Sequence, residues 1–186
     1  KVVARRMIQM TQNINQNYSS HVKQTGVTCY TCHRGAAVPK YVWTDPKPSD
    51  GRLMGNKRGQ NTPSATTSYA SLPLNAASMY LGVGAKAARV QSETIHPTTA
   101  NLKGTKAAEA NYAIMMHLSQ SLNVNCTYCH NSRAFAQWGQ SSPKRALAWY
   151  GLQMVKNTNQ EYIHPLASVF PAKRLGPQGD PYKTNC

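Results

Sequence analysis

Two five-residue runs in this chain share one form: Cys29-Tyr30-Thr31-Cys32-His33 and Cys126-Thr127-Tyr128-Cys129-His130. They hold four of the five cysteines, and the fifth, Cys186, is the last residue. A C-x-x-C-H run is the attachment pattern of c-type haem. Its two thiols add across the vinyl groups and become thioethers. The adjacent imidazole is held beneath the macrocycle and takes one axial position on iron. Other chemistries fit less well. A single C-x-x-C suits a redox dithiol. Two pairs suit a four-thiolate zinc site, but zinc ribbons separate the pairs by roughly 15–20 residues. Here 93 residues intervene, and zinc gives no reason for a His after each pair. Two haems c are therefore expected, one on Cys29 and Cys32 with His33, the other on Cys126 and Cys129 with His130.

The second axial position decides what such an iron does. Methionine there gives an electron-transfer centre of raised potential, whereas an open position gives ligand binding or catalysis. An internal repeat bears on the choice. Residues 7–15 read Met-Ile-Gln-Met-Thr-Gln-Asn-Ile-Asn, residues 115–123 Met-Met-His-Leu-Ser-Gln-Ser-Leu-Asn, and residues 151–159 Gly-Leu-Gln-Met-Val-Lys-Asn-Thr-Asn. Each copy has the apolar spacing of an amphipathic helix. The column Met10, Leu118, Met154 and the column Ile8, Met116, Leu152 are generically apolar and are expected in the core. The first column is Met7, Met115 and Gly151. The two copies with Met precede the two motifs, which assigns Met7 to the haem on Cys29/Cys32 and Met115 to that on Cys126/Cys129. The competing role for both is simple gap-filling in a core.

The third copy lacks the Met and is followed by Cys186, as though a third attachment motif were about to start. The chain also begins inside a helical pattern. Both ends read as cut, so an internal fragment of a larger protein is expected. A haem following Cys186 would need a ligand from elsewhere, and histidine is the natural donor. His21 lies in the extra length of the first copy, where Met7 to Cys29 is 22 residues against 11 from Met115 to Cys126. His164, before Pro165, is its rival. His96, in a polar loop, and His117, expected as a surface or propionate contact, have weaker claims.

Composition agrees with a protein that builds its core partly from cofactor. The 186 residues are 40% hydrophobic, with only two Phe, below the usual ~45–50%. Haem supplies flat apolar bulk in place of the missing side chains, so the chain should fold poorly without it. Lys and Arg number 21 against 6 Asp and Glu, a formal net charge of +15. The cations are spread along the chain with no basic stripe interleaved with aromatics, so nucleic acid is not expected as a partner. Haem propionates would offset part of this charge, with Arg34 and Arg145 as candidate partners or potential-tuning groups. No run approaches the ~18 apolar residues of a membrane span.

The elements that must position these groups follow from periodicity and stop signals. Residues 1–18 are expected as a helix and 19–35 as a loop carrying the first motif. Residues 36–105, rich in Pro, Gly, Ser, Thr and Asn, read as a long irregular connection with short strands near 78–92. A second helix is expected over 107–123, a third over 143–160 starting at Pro143, and loop from 161. The fold class is mainly α with extensive coil, built of repeated helix–loop–CxxCH segments. Its units are residues 1–35, a connection over 36–106, residues 107–142, and residues 143–186 with a truncated start of the next segment.

Val2–Met10, Thr25–Gly35, Asn125–Asn131, Trp138-Gly139, Pro143–Ala146 and Arg174-Leu175-Gly176 resemble the tetrahaem cytochrome subunit of purple-bacterial photosynthetic reaction centres. The likeness runs over most of the chain except the middle connection. It implies that residues 1–186 hold the second and third of four haem c segments and the start of the fourth at Cys186. It implies His/Met ligation for the first three haems and two His for the fourth. The second of these comes from the loop before the second motif, which maps onto His21 and favours it over His164. The function implied is electron transfer without substrate chemistry. A photo-oxidised bacteriochlorophyll pair is re-reduced with electrons from a soluble cytochrome c or a high-potential iron–sulfur protein. The implied place is the periplasmic side of the photosynthetic inner membrane, peripheral, against the reaction-centre membrane subunits. The alternative is another periplasmic multihaem cytochrome or a multihaem enzyme; an enzyme would need a five-coordinate iron, which the Met7/Met115 column argues against.

Overall fold

The computed structural model of the chain describes residues 1–48, 72–85 and 102–186. Their elements are α1 (Val2–Asn17), α2 (Ser19–Val22), α3 (Cys29–His33), β1 (Val42–Trp43), α4 (Ala76–Leu81), α5 (Leu102–Leu122), α6 (Lys144–Asn157) and β2 (Lys183–Thr184). The architecture is mainly helical with extensive coil, as the sequence predicts. Among the described residues no helix is long and apolar enough to cross a membrane.

The three repeat copies form α1, the C-terminal part of α5, and α6 with its continuation. After Asn157 the last helix widens into a π-type turn over Thr158–Ile163, which carries it past the predicted end at 160. The segment expected as loop over 19–35 holds α2 and a helical turn, α3. The second helix starts at Leu102, five residues before the predicted boundary. Strands expected near 78–92 are not found as far as the described residues reach. Ala76–Leu81 is a helix, and 86–92 lie outside the described residues. The run Ala-Ala-Ser-Met-Tyr-Leu is rich in helix formers, and its Ala76, Ala77, Tyr80 and Leu81 form one buried face.

The main core joins Trp43, Ala77, Tyr80, Leu81, Ala110, Ile114 and Val155. A second cluster packs Met10 and Ile14 of α1 against Ile163. In the column Met10, Leu118, Met154 the first two are buried as expected, at 7% and 9% exposure, and Met154 is half-buried against the second cluster. The neighbouring column is not uniform. Met116 and Leu152 are half-buried, but Ile8 is 52% exposed. The copies do not all pack against the same neighbour, so an apolar type does not guarantee burial. His117 is also corrected. It is 4% exposed, on the α5 face that carries Ala110, Ala113, Ile114 and Leu118, three and four residues apart.

The tail beyond 161, expected as loop, returns to the start of the chain. Its β2 pairs antiparallel with β1, Val42 facing Thr184 and Trp43 facing Lys183. Lys183 is buried, ion-paired to Asp45 at 3.0 Å and to Asp180, with its ammonium 4.6 Å from the centre of the Trp43 ring. The Trp43 indole N–H donates to the Thr184 carbonyl at 2.9 Å. Ser78 donates to Asp45 at 2.5 Å, tying α4 to the same cluster. A buried ammonium is tolerated only with such pairing. It docks the segment that ends in Cys186.

Candidate haem sites

Each C-x-x-C-H run is a single helical turn, and the reason is local. Thr28 is extended, and its N–H donates to Thr31 Oγ1 at 2.9 Å, which starts the turn. The turn puts Cys29 and Cys32 three apart on one side, with His33 one turn above Cys29. Left-handed Arg34 (φ 46°) followed by Gly35 (φ 84°) stops it. In the second run Asn125 is extended and accepts from Thr127 Oγ1 at 2.8 Å. The His130 N–H donates to the Cys126 carbonyl at 2.9 Å, so the thiols again share a side.

The two histidines are oriented in the same way. His33 Nδ1 lies 3.0 Å from the Ala36 carbonyl, and His130 Nδ1 lies 3.1 Å from the Phe135 carbonyl. A carbonyl can only accept, so Nδ1 carries the proton and Nε2 keeps a lone pair for a metal. The acceptors are main-chain oxygens whose placement depends on the fold, so sequence spacing offers no sign of them.

None of the five cysteines is paired in a disulfide. Burial raises the Cys32 thiol pKa above its ordinary value, with neighbouring Cys29 adding to it. Burial also raises Cys129, against the opposing pull of the Arg145 charge. Cys186 is pushed up to about 12 by burial. Among the described residues no group of three or more His, Cys, Asp or Glu is close enough to hold a metal ion, which counts against a shared zinc site. Of the two candidate propionate partners, Arg34 is exposed. Arg145 lies over the Trp138 ring at 4.1 Å and donates to Ser141 Oγ at 2.7 Å, so its guanidinium is fixed beside Cys129.

Three groups of the first site are brought together. Met7, Cys32 and His33 line one mainly apolar cavity of about 160 Å³, closed by Met10, Ile163 and Phe170 among others. A thioether, a thiol and an imidazole around an apolar hollow fit the donor chemistry of His/Met-ligated haem c. Met115 is placed differently, packed on the main core cluster together with Cys186.

His21 is the penultimate residue of α2 and faces α6. A Cβ built on Gly151 would lie 3.0 Å from its Cε1 and 3.2 Å from its Nε2. Its Nδ1 is buried without a hydrogen-bond partner. Where two copies carry Met, the third carries glycine, which leaves room for this imidazole. An orphaned ring nitrogen against a side-chain-free position fits a histidine available to a metal. His164 is exposed on a turn of 3₁₀ helix, and His96 lies outside the described residues.

A mainly helical chain with extensive coil, organised on two C-x-x-C-H turns, has the architecture of a multihaem cytochrome c. Comparison with known proteins agrees and is more specific. The family model described as photosynthetic reaction centre cytochrome C subunit matches residues 1–186. Relatives named photosynthetic reaction center cytochrome c subunit include that of Rubrivivax gelatinosus, 45% identical over all of this chain and 51% of the relative. That of Thermochromatium tepidum is 46% identical over all of this chain and 46% of its own. That of Roseobacter denitrificans is 41% identical over 95% of this chain and 49% of its own. The chain belongs to the photosynthetic reaction centre cytochrome c subunit family, and it spans about half the length of these relatives.

Proposed function

We propose that this chain is an electron-transfer segment holding two complete haem c sites and the first thiol of a third. Cys29, Cys32 and His33 with Met7 make one site; Cys126, Cys129 and His130 with Met115 make the other. Cys186 would begin the next attachment run, and His21 would supply an imidazole to the iron held there. In the numbering of the full-length family, residues 1–35 are the second haem segment, 107–142 the third and 143–186 the start of the fourth. Bound haem supplies a one-electron ferric/ferrous couple.

The residues of the chain do the rest. His33 and His130, locked by their Nδ1–H bonds, present Nε2 at a fixed angle. Met7 offers a soft thioether from a rigid helix, which favours the reduced iron and raises the potential. Met10, Ile163 and Phe170 keep water from the cavity, and Arg145 adds a fixed positive charge beside Cys129. None of these groups needs to exchange a proton with a substrate, which is why the segment is read as an electron carrier and not an enzyme. In the whole protein, electrons would pass from a soluble cytochrome c or high-potential iron–sulfur protein to the photo-oxidised bacteriochlorophyll pair. The complex would lie on the periplasmic side of the membrane, docked on the reaction-centre membrane subunits.

The observation that carries this proposal is the cavity shared by Met7, Cys32 and His33. The test is a pyridine haemochrome spectrum with an intact mass, on protein made in a host with cytochrome c maturation. Two covalent haems on residues 1–186 are expected. A colourless chain that binds zinc would overturn the proposal.

A further inference from the structure

The last column of the repeat is Asn in all three copies: Asn15, Asn123 and Asn159. In the first copy the Asn15 side chain takes both main-chain groups of one residue. The Val27 N–H donates to its Oδ1 at 2.6 Å, and its Nδ2 donates to the Val27 carbonyl at 2.9 Å. In the third copy Asn159 does the same to Thr184. The Thr184 N–H donates to Oδ1 at 2.8 Å, and Nδ2 donates to the Thr184 carbonyl at 3.1 Å. Val27 is two residues before Cys29, and Thr184 is two residues before Cys186. The gripped residue therefore has the same offset from the first attachment thiol in both copies. The gripping and gripped residues are 12 positions apart in one copy and 25 in the other.

The second copy lacks such a loop, since Val124 directly follows Asn123. Asn123 takes a left-handed conformation (φ 53°) at the end of α5, a state Asn tolerates well. The Val124 N–H is held by the Ser119 carbonyl at 2.9 Å, as in a helix-ending Schellman turn. Val124 is two residues before Cys126. All three copies thus pin the N–H of this residue to the helix that carries the ligand column. A side chain does it where the loop is long, and the helix's own carbonyl does it where the loop is absent. Only an amide side chain offers a donor and an acceptor together in this geometry. Gly26 belongs to the same device, since a Cβ there would fall 2.7 Å from Asn15 Oδ1.

We infer that Asn15 and Asn159 are positioning residues for haem ligation. Each fixes the register of an attachment cysteine against the helix that carries its ligand column. The inference rests on the proposed haem sites. Asn15 holds the run that starts at Cys29 in step with Met7, eight residues earlier on the same helix. Asn159 holds Cys186 in step with Gly151 and so with His21, which lies against Gly151.

The experiment uses the matured full-length subunit, with site-resolved redox titration and CO binding to the ferrous protein. The unmutated protein reports whether the haems are present and six-coordinate, so failure of the haem reading shows there first. Asn15→Leu is expected to shift the potential of the haem on Cys29/Cys32 and to let CO reach that iron, with the others unchanged. Asn159→Leu should do so only at the haem on Cys186. Asn123→Gly keeps the left-handed turn and removes only the side chain of that column, so it should leave all of them unchanged. Asn15→Asp keeps the acceptor for the Val27 N–H and should give a smaller shift at the same haem, which covers the case of a Leu variant that fails to accumulate. Shifts spread evenly over all haems, no shift in the Asn15 and Asn159 variants, or an equal effect from Asn123→Gly would overturn the inference.

Discussion

Gly151 is the position where a small change tests the most. In an exposed helix, Gly→Ala is worth about 0.5–1 kcal/mol of stability through backbone entropy. Here the new Cβ would sit 3.0 Å from His21 Cε1 and 3.2 Å from Nε2, several tenths of an ångström inside ordinary contact. Moving the imidazole that far takes it off its rotamer, at about 0.5–1.5 kcal/mol. The two terms nearly cancel, so Gly151→Ala should be neutral within about 1 kcal/mol. Gly151→Leu adds three further carbons to occupied space, and overpacking of that kind costs about 1–3 kcal/mol. At 2–4 °C per kcal/mol for a chain of this size, that is a fall of roughly 2–12 °C in apparent Tm. The assay is thermal unfolding of the haem-loaded subunit in a double-mutant cycle with His21→Ala. If His21 is the obstacle, the Leu penalty should largely vanish in the double variant, a coupling of about 1–2 kcal/mol. Additive effects, or an Ala variant that gains its full propensity, would refute the packing of His21 on Gly151.

Three further outcomes are expected. Met7→Ala should lower the midpoint potential of one haem and open its ferrous form to CO, measured by redox titration and CO difference spectra; an unchanged potential would reduce Met7 to core filler. Lys183→Met leaves Asp45 and Asp180 without their cation and should cost about 3 kcal/mol in denaturant unfolding, while adding Asp45→Asn and Asp180→Asn should recover most of it. A chain made without cytochrome c maturation should lose its cooperative melt, because Tyr30, Tyr128 and Trp138 stand 70%, 46% and 54% exposed around the attachment turns; an unchanged melt would show that the side chains alone suffice as core.

What could be read from the sequence was what chemistry confines to short range. Thioether attachment needs two thiols and an imidazole within five residues, so the C-x-x-C-H runs are visible without a fold. The helices were visible because three copies of one apolar pattern reinforce each other. The long-range packing was not. Asp180 stands only three residues from Lys183, but nothing local marks Lys183 as buried, since Asp45 and the Trp43 ring join it only when β2 pairs with β1. His117 lies on the face that the three- and four-residue spacing picks out, but an imidazole is as common at the surface as in a core, so its type does not mark it as buried. The α4 helix is hard to read because its six residues are under two turns, too short for a helical period to show, although Asn75 and Gly82 stand at its two ends. The shared Asn at the end of each repeat copy was in plain view, but its role appears only when Val27 and Thr184 fold back onto it.

The cavity that joins Met7, Cys32 and His33 has a consequence in time. One of its walls comes from residues 3–42 and the other from 163–184. A chain delivered N-terminus first across a membrane presents the first wall before the second, with Cys32 in a half-site open along one side. Contacts of such sequence separation form slowly and late. A bulky planar group can reach that thiol from the open side before residues 163–184 pack against the first wall.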